Sequence, residues 1–183
     1  MKTTINHYSN RTIWIHWLSA LLIFGLIYTG ISMEHAPLDE NKFLLYKIHF
    51  SIGNLVFILT IIRVFALFKD SKPLGLYPKK SKREIFRKFV YKGFYVVIFW
   101  MSISGLVSLS LEGILPALQS GNLKDLPDIA KEGLHPIMLS HHVVAKLIFL
   151  LLIFHLGGFL IHFFQKKENT LKRIWFPLAK ASK

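Results

Sequence analysis

The chain has 183 residues, of which 52% are hydrophobic, and its formal net charge is +13 at pH 7. Its mean hydropathy is positive, which is too apolar for an ordinary soluble domain of this size. The absence of cysteine excludes disulfides, thiolate-bound zinc, iron–sulfur clusters, thiolate-ligated haem and covalent haem attachment through a C-x-x-C-H motif. Any metal or cofactor must therefore depend mainly on histidine.

Four apolar stretches are long enough to cross a bilayer core, which needs about 20 residues of helix. We predict membrane-spanning helices over residues 12–33, 46–68, 89–111 and 137–164. The first is too long for a cleavable signal peptide, so we expect it to remain in the mature protein. Helices satisfy their own backbone hydrogen bonds in lipid, and these runs lack the alternation of barrel strands. The sequence therefore predicts an all-α fold, an integral membrane four-helix bundle forming one domain over 1–183.

Basic residues concentrate on one side of the predicted spans. The amino terminus, the segment 63–92 and the tail after residue 165 carry 18 of the 23 Lys and Arg residues. By the positive-inside rule, both termini and the second loop are cytoplasmic. The net charge thus indicates membrane topology and not nucleic-acid binding. The other long loop, 112–136, is predicted to be a connector that could also cover a site or dock a partner.

Histidines inside the spans are the most informative feature, because ionisable groups at membrane depth are costly and are usually kept for function. An isolated one could simply hydrogen-bond to a neighbouring helix. His141 and His155, however, are 14 residues apart in the fourth span. At about 100° per residue this spacing returns to nearly the same helix face, about 20 Å further along the axis. One helix therefore offers two ligands at two depths.

The partners of these two histidines follow from depth. His16 lies near the cytoplasmic start of the first span, and His49 lies near the outer start of the second. Depth therefore matches His16 with His155, which we call the inner pair, and His49 with His141, which we call the outer pair. Two imidazoles fill both axial positions of a haem iron and favour one-electron transfer. The pattern predicts two haems that form a transmembrane electron path.

Two other histidines are rival ligands. His142 lies well off the face that His155 occupies, and it is the weaker candidate beside its neighbour. His162 shares the face of His155 but lies at the cytoplasmic end, where an interfacial imidazole is ordinary. The remaining three fall outside the spans: His7, His35 and His135.

Three cations lie near the predicted sites. Lys47 and Arg63, near opposite ends of the second span, could pair with haem propionates, although snorkelling to the membrane surface explains them at least as well. Lys146 lies deeper and could bind a propionate or line a quinol pocket. Gly53, one turn after His49, would allow close approach of a flat macrocycle or serve ordinary helix packing. No catalytic acid or base is identifiable.

The chain resembles the prokaryotic cytochrome b561 family, which is related to the b-type cytochrome subunits of membrane nickel hydrogenases. The resemblance covers nearly the whole chain. It is carried by His16-Trp17 in the first span, Lys47-Ile48-His49 with Gly53 and Arg63 in the second, Ser104-Gly105 in the third, the two histidines 14 apart in the fourth, His162, and Thr170-Leu171-Lys172-Arg173 in the tail.

This resemblance implies two haem b groups in a bacterial inner membrane protein, with a quinol as electron donor. It also implies that the ligands are His16, His49, His141 and His155, and that His162 is not one. The chain departs from the family at His142, because members often carry an acidic residue after the third ligand. The choice between His141 and His142 therefore stays open at this point.

Three functions are compatible with the sequence. The first is a quinol-dependent oxidoreductase that passes electrons from ubiquinol or menaquinol to superoxide, a haem protein or another acceptor. The second is a haem b anchor subunit that relays electrons for a hydrogenase or dehydrogenase. The third, a histidine-lined metal or proton transporter, predicts no haem spectrum. Expected partners are membrane lipids, quinol and a redox partner protein, but no nucleic acid, and a homodimer is one option for assembly.

Overall fold

The computed structural model describes residues 7–70, 73, 75, 77–78, 80–127, 135–165 and 170–175. Every element in these ranges is helical, which confirms the all-α prediction. In chain order the elements are α1 (Asn10–His35), α2 (Glu40–Lys69), α3 (Lys82–Leu111), α4 (Ile114–Ser120), a 3₁₀ turn (Leu123–Asp125), α5 (Pro136–Gln165) and α6 (Leu171–Ile174).

The helices α1, α2, α3 and α5 are long and apolar enough to cross a membrane, as the sequence predicted. Three of them begin before the apolar stretch does, because polar side chains cap their first turns. Ser9, Asp39 and Ser81 each accept a hydrogen bond from a backbone N–H of the first turn of α1, α2 and α3, respectively. Such caps satisfy N–H groups that have no partner within the helix. Helix length therefore exceeds the length of the hydrophobic span.

The long helices pack in two neighbouring sets, α1 along α2 and α3 along α5, and α2 also contacts α3. One buried apolar cluster consists of Val90 and Val97 from α3 and of Ile148 and Leu151 from α5, with Ile23 of α1 packed against it. Ile148 lies seven residues, about two turns, from both His141 and His155. Apolar packing therefore separates the two histidine levels of α5.

The outward surface of the bundle is strongly apolar. Large side chains are exposed on all four long helices, including Phe24 (54%), Phe65 (64%), Val96 (69%) and Ile153 (65%). An apolar surface of this extent would be unfavourable in water and matches the hydrocarbon of a bilayer. These side chains contact membrane lipid.

The loop between α3 and α5 contains structure that composition alone did not predict. Gly113 and Gly121 flank α4, and both have a left-handed backbone (φ 68° and 71°), a conformation that glycine adopts without strain. Within α4, Ile114 and Ala117 are buried. The first part of the predicted connector is therefore a short helix packed on the bundle.

The segment containing α6 lies against the start of α1. The backbone N–H of Tyr8 donates to the Arg173 carbonyl at 3.0 Å, and the indole N–H of Trp17 donates to the Ile174 carbonyl at 2.9 Å. The ring of Trp17 also contacts that of Trp175 edge to face. These contacts join the described part of the tail to the helix that carries His16.

A polar cluster joins α1 to the end of α2. The Asp70 carboxylate accepts hydrogen bonds from Arg11, Ser9 and Thr12, the last at 2.9 Å. The Arg11 hydrogen bond, with help from Ser9, lowers the pKa of Asp70 from its ordinary value of 3.8 to about 2. The cluster therefore fixes the ends of two helices by charge-assisted bonds.

We expect Asp70→Asn to lower the stability of the folded protein in detergent by about 1 kcal/mol at pH 7, a value that allows for screening of the exposed Arg11. Because the folded pKa is depressed, this contribution is complete above about pH 4, the unfolded value, and is lost as pH falls toward about 2. Thermal unfolding of both proteins between pH 7 and pH 2.5 checks this expectation. A stability difference that stays constant over that range would contradict it.

Candidate functional site

The structure brings four of the candidate histidines together in two pairs. The ring of His16 on α1 lies with its centre 6.2 Å from that of His155 on α5. The ring of His49 on α2 lies with its centre 6.5 Å from that of His141 on α5. The inner pair is at the end of the bundle where α1 begins and α5 ends, and the outer pair is towards the opposite end.

These separations suit a single metal atom between two rings. Imidazole nitrogen binds a first-row metal at about 2 Å, and the nitrogen lies about 1 Å from the ring centre, which gives about 6 Å between centres. Histidine is a common protein ligand of haem iron. Each pair would offer two imidazoles to such a group, so the residues present fit a haem at both positions.

The two histidines of the outer pair have similar surroundings, because a hydroxyl lies near Nδ1 of each ring. Thr29 Oγ1 lies 2.9 Å from His49 Nδ1, and Ser104 Oγ lies 3.0 Å from His141 Nδ1. Hydrogen bonding at Nδ1 leaves Nε2 as the nitrogen available to a metal. Each histidine of the outer pair is thus oriented by a hydroxyl on the neighbouring helix.

The surroundings of the inner pair are different. A guanidinium nitrogen of Arg63 lies 3.4 Å from His16 Nδ1, and the same guanidinium lies over the ring of Tyr95 at 5.9 Å. Phe94 contacts His155 edge to face, with ring centres 5.6 Å apart. The inner pair therefore carries a fixed positive charge beside one of its rings.

Small residues lie near the histidines at both levels. A Cβ added at Gly158, three residues after His155 and on nearly the same face of α5, would meet nothing within 4 Å, so there is open space beside this histidine. The buried hydroxyls of Ser19 and Ser108 have no hydrogen-bond partner among the described residues. Ser19 is one turn from His16, and Ser108 is one turn from Ser104, so each level has an additional polar group near its histidines.

The rival histidines belong to neither pair. The side chain of His142 is exposed on the bundle surface, whereas its neighbour His141 faces His49. His162 is 8% exposed, and its Nε2 lies 2.6 Å from the Tyr77 hydroxyl. This hydrogen bond joins the segment after α2 to the end of α5.

The predicted cations lie in three different environments. Arg63 lies at the inner pair, beside His16. Lys47 lies over the ring of Phe43, at 4.3 Å, and lines a cavity of about 420 Å³ between α2 and α4 together with Phe50, Ser51, Leu115, Leu118 and Gln119. Lys146 is exposed on the surface of α5. The roles suggested for Lys47 and Lys146 stay predictions.

Thr29 and Gly30 were missed by reasoning from the sequence, which considered Gly53 instead. A Cβ at Gly53 would meet Leu26 at 3.9 Å, which is ordinary helix packing. A Cβ at Gly30 would meet Cε1 of His49 at 3.5 Å. The available signal was the recurrence of a hydroxyl–glycine dipeptide, Thr29-Gly30 and Ser104-Gly105, in two different spans.

Four apolar membrane helices with imidazoles paired between them define a class of protein, the helical b-type membrane cytochromes. The chain belongs to the prokaryotic cytochrome b561 family, whose model matches residues 7–177. It is similar to the protein called cytochrome b561 homolog 1 of Escherichia coli (strain K12), with 22% identity over 172 residues, or 93% of this chain and 97% of the relative. The chain is thus a multi-pass protein of the bacterial inner membrane that binds haem b and transfers electrons across that membrane.

Proposed function

We propose that the chain holds two haem b groups, one at the inner pair and one at the outer pair, and oxidises ubiquinol or menaquinol. The observation that carries this proposal is the presence of two histidine pairs that share α5, with ring centres 6.2 and 6.5 Å apart. Their α5 members are 14 residues apart, which is about 20 Å along the helix. The two pairs lie at different depths, as an electron path across a membrane requires.

The chemistry that each histidine pair supports follows from its two imidazoles. His16 with His155 and His49 with His141 would each hold one haem, and this group would supply one-electron transfer and not substrate binding. A quinol that gives two electrons releases two protons and becomes a quinone, and two one-electron acceptors take the electrons. Superoxide or a haem protein is an acceptor of that kind.

The orientation proposed for the bundle supports a path between the two membrane surfaces. The flanking segments at the end of the inner pair carry 18 of the 23 basic residues, and such segments stay in the cytoplasm. In this orientation both termini and the inner pair lie on the cytoplasmic side. The outer pair and α4 then lie on the opposite side.

One experiment tests quinol oxidation. The chain is purified alone in detergent, its haem-to-chain ratio is measured, and it is mixed with a reduced quinol in a stopped-flow spectrophotometer. We expect two haems per chain and prompt reduction of haem by the quinol, with dithionite giving full reduction as the control. Reduction only in the presence of a co-purified hydrogenase or dehydrogenase would replace this proposal by that of an electron-relaying anchor subunit. A protein without a haem spectrum would contradict both.

A further inference from the structure

Both histidines of the outer pair have the same neighbours on different helices. His49 meets Thr29 and Gly30 of α1, and His141 meets Ser104 and Gly105 of α3. In each case the hydroxyl lies about 3 Å from Nδ1, and the glycine lies against Cε1 of the same ring. The same arrangement of a hydroxyl at Nδ1 and a glycine at Cε1 therefore occurs on two different helices, α1 and α3. This repetition indicates that it has the same role at both rings of the outer pair.

The direction of these hydrogen bonds follows from counting protons. A hydroxyl has one proton, and the Thr29 hydroxyl donates to the Gly25 carbonyl at 2.9 Å. The Ser104 hydroxyl donates to the Trp100 carbonyl at 2.7 Å. Each oxygen then faces its imidazole as an acceptor, so Nδ1 carries the proton and donates it. In a neutral ring this leaves the lone pair on Nε2.

From this geometry we infer that Thr29 and Ser104 are positioning residues for the outer haem, which hold His49 and His141 in the tautomer and orientation that present Nε2 to the iron. The inference rests on the proposed function, since it takes the outer pair as haem ligands. Partners of this kind orient a ligating histidine and raise its basicity, and their loss typically costs about 10–100-fold in metal affinity. A more basic imidazole favours ferric iron and lowers the midpoint potential.

The two glycines complete the arrangement by allowing the rings to come close. A Cβ at Gly105 would lie 3.1 Å from Cε1 of His141, a tight contact that would require a small displacement of the ring. A Cβ at Gly30 would lie 3.5 Å from Cε1 of His49, in van der Waals contact. The hydroxyl thus orients each imidazole ring by a hydrogen bond, and the neighbouring glycine leaves space for that ring.

The inner pair provides an internal comparison. There, a guanidinium nitrogen of Arg63 and not a hydroxyl lies near Nδ1 of His16, at 3.4 Å. The hydroxyl arrangement therefore belongs to the outer pair, and its removal should alter one haem and leave the other unchanged.

The test uses the full chain with its haems in detergent. Ser104→Ala and Thr29→Val remove the hydroxyls, and Ser104→Thr and Thr29→Ser retain them. Thr60→Val is the matched control, because the buried Thr60 hydroxyl also donates to a carbonyl one turn earlier, that of Val56, at 2.7 Å. The measurements are a redox titration of each haem, haem retention during dilution, and the low-spin ferric electron paramagnetic resonance signal.

We expect Ser104→Ala and Thr29→Val to raise the midpoint potential of one haem, to change its resonance signal and to weaken its retention by about 10-fold or more. The hydroxyl-retaining variants should restore all three. Potentials and retention equal to those of the unaltered protein, or an equal effect of Thr60→Val, would overturn the inference. If the hydroxyl variants have no effect, His141→Ala shows which proposal is wrong. Retention of both haems by His141→Ala would contradict the proposed ligands. Loss of one haem would support those ligands, and only the role of the hydroxyls would then be wrong.

Discussion

A His141→Ala variant should bind one haem per chain instead of two, whereas His142→Ala should bind both. The reason is geometric, because the ring of His141 faces His49 with 6.5 Å between centres and is hydrogen-bonded by Ser104. The side chain of His142 is exposed at the bundle surface. Under the proposed ligation, His141→Ala would leave His49 as the single protein ligand of the outer haem, and we expect that haem to be lost on purification.

The measurement is a pyridine haemochrome assay combined with protein quantification, with spectra of the reduced protein at low temperature. His49→Ala should lose the same haem as His141→Ala, so the spectra of the two variants should coincide. His16→Ala should retain the complementary haem. Equal haem content in His141→Ala and His142→Ala would refute the assignment of His141, and identical spectra for His16→Ala and His49→Ala would refute the existence of two separate sites.

The helices of this protein could be predicted from sequence because lipid leaves few options for a backbone. A run of about 20 apolar residues must form a helix, and all four predicted spans are helical. The pairing of the histidines was also predictable. The 14-residue spacing of His141 and His155 fixes their face, and the alternating direction of the helices fixes the depth of His16 and His49.

The residues that surround the rings could not be predicted in the same way. Depth follows from sequence position, but the rotation of each helix about its axis depends on packing. Thr29 faces His49 because of how α1 and α2 are rotated against each other, and nothing in the sequence near His49 specifies that. The same limit applies to Lys146. Its depth in the span suggested a propionate or quinol site, but depth does not specify which way the side chain faces, and Lys146 is exposed on α5.

The short helix α4 illustrates a second limit. Proline and glycine in the segment after α3 indicated a connector, because both residues interrupt regular structure. In the structure, Gly113 and Gly121 stand outside α4 at its two ends, and Pro116 lies within its first turn, where proline is tolerated. A helix of about two turns, such as α4, is too short to be recognised from the periodicity of its hydrophobic residues.

We expect Arg63→Gln to lower the midpoint potential of the inner haem by an amount on the order of 50 mV. The guanidinium lies 3.4 Å from His16 Nδ1, and a fixed positive charge near iron favours the ferrous form, which carries one positive charge less. Pairing of Arg63 with a haem propionate would act in the same direction, because it neutralises a charge that favours ferric iron. Arg63→Lys, which keeps the charge, is the matched variant and should retain most of the unaltered potential.

The two haems are distinguished by their spectra in His16→Ala and His49→Ala, so a redox titration followed at both wavelengths assigns the shift. A shift in the haem that survives in His16→Ala, or none in either, would contradict the role of Arg63. We expect the positive charge of Arg63 to raise the potential of the inner haem, and the hydroxyls of Thr29 and Ser104 to lower that of the outer haem. Both contributions change the inner-minus-outer difference in potential in the same direction. Arg63→Gln and Ser104→Ala should therefore each make that difference less positive, the first by lowering the inner potential and the second by raising the outer one.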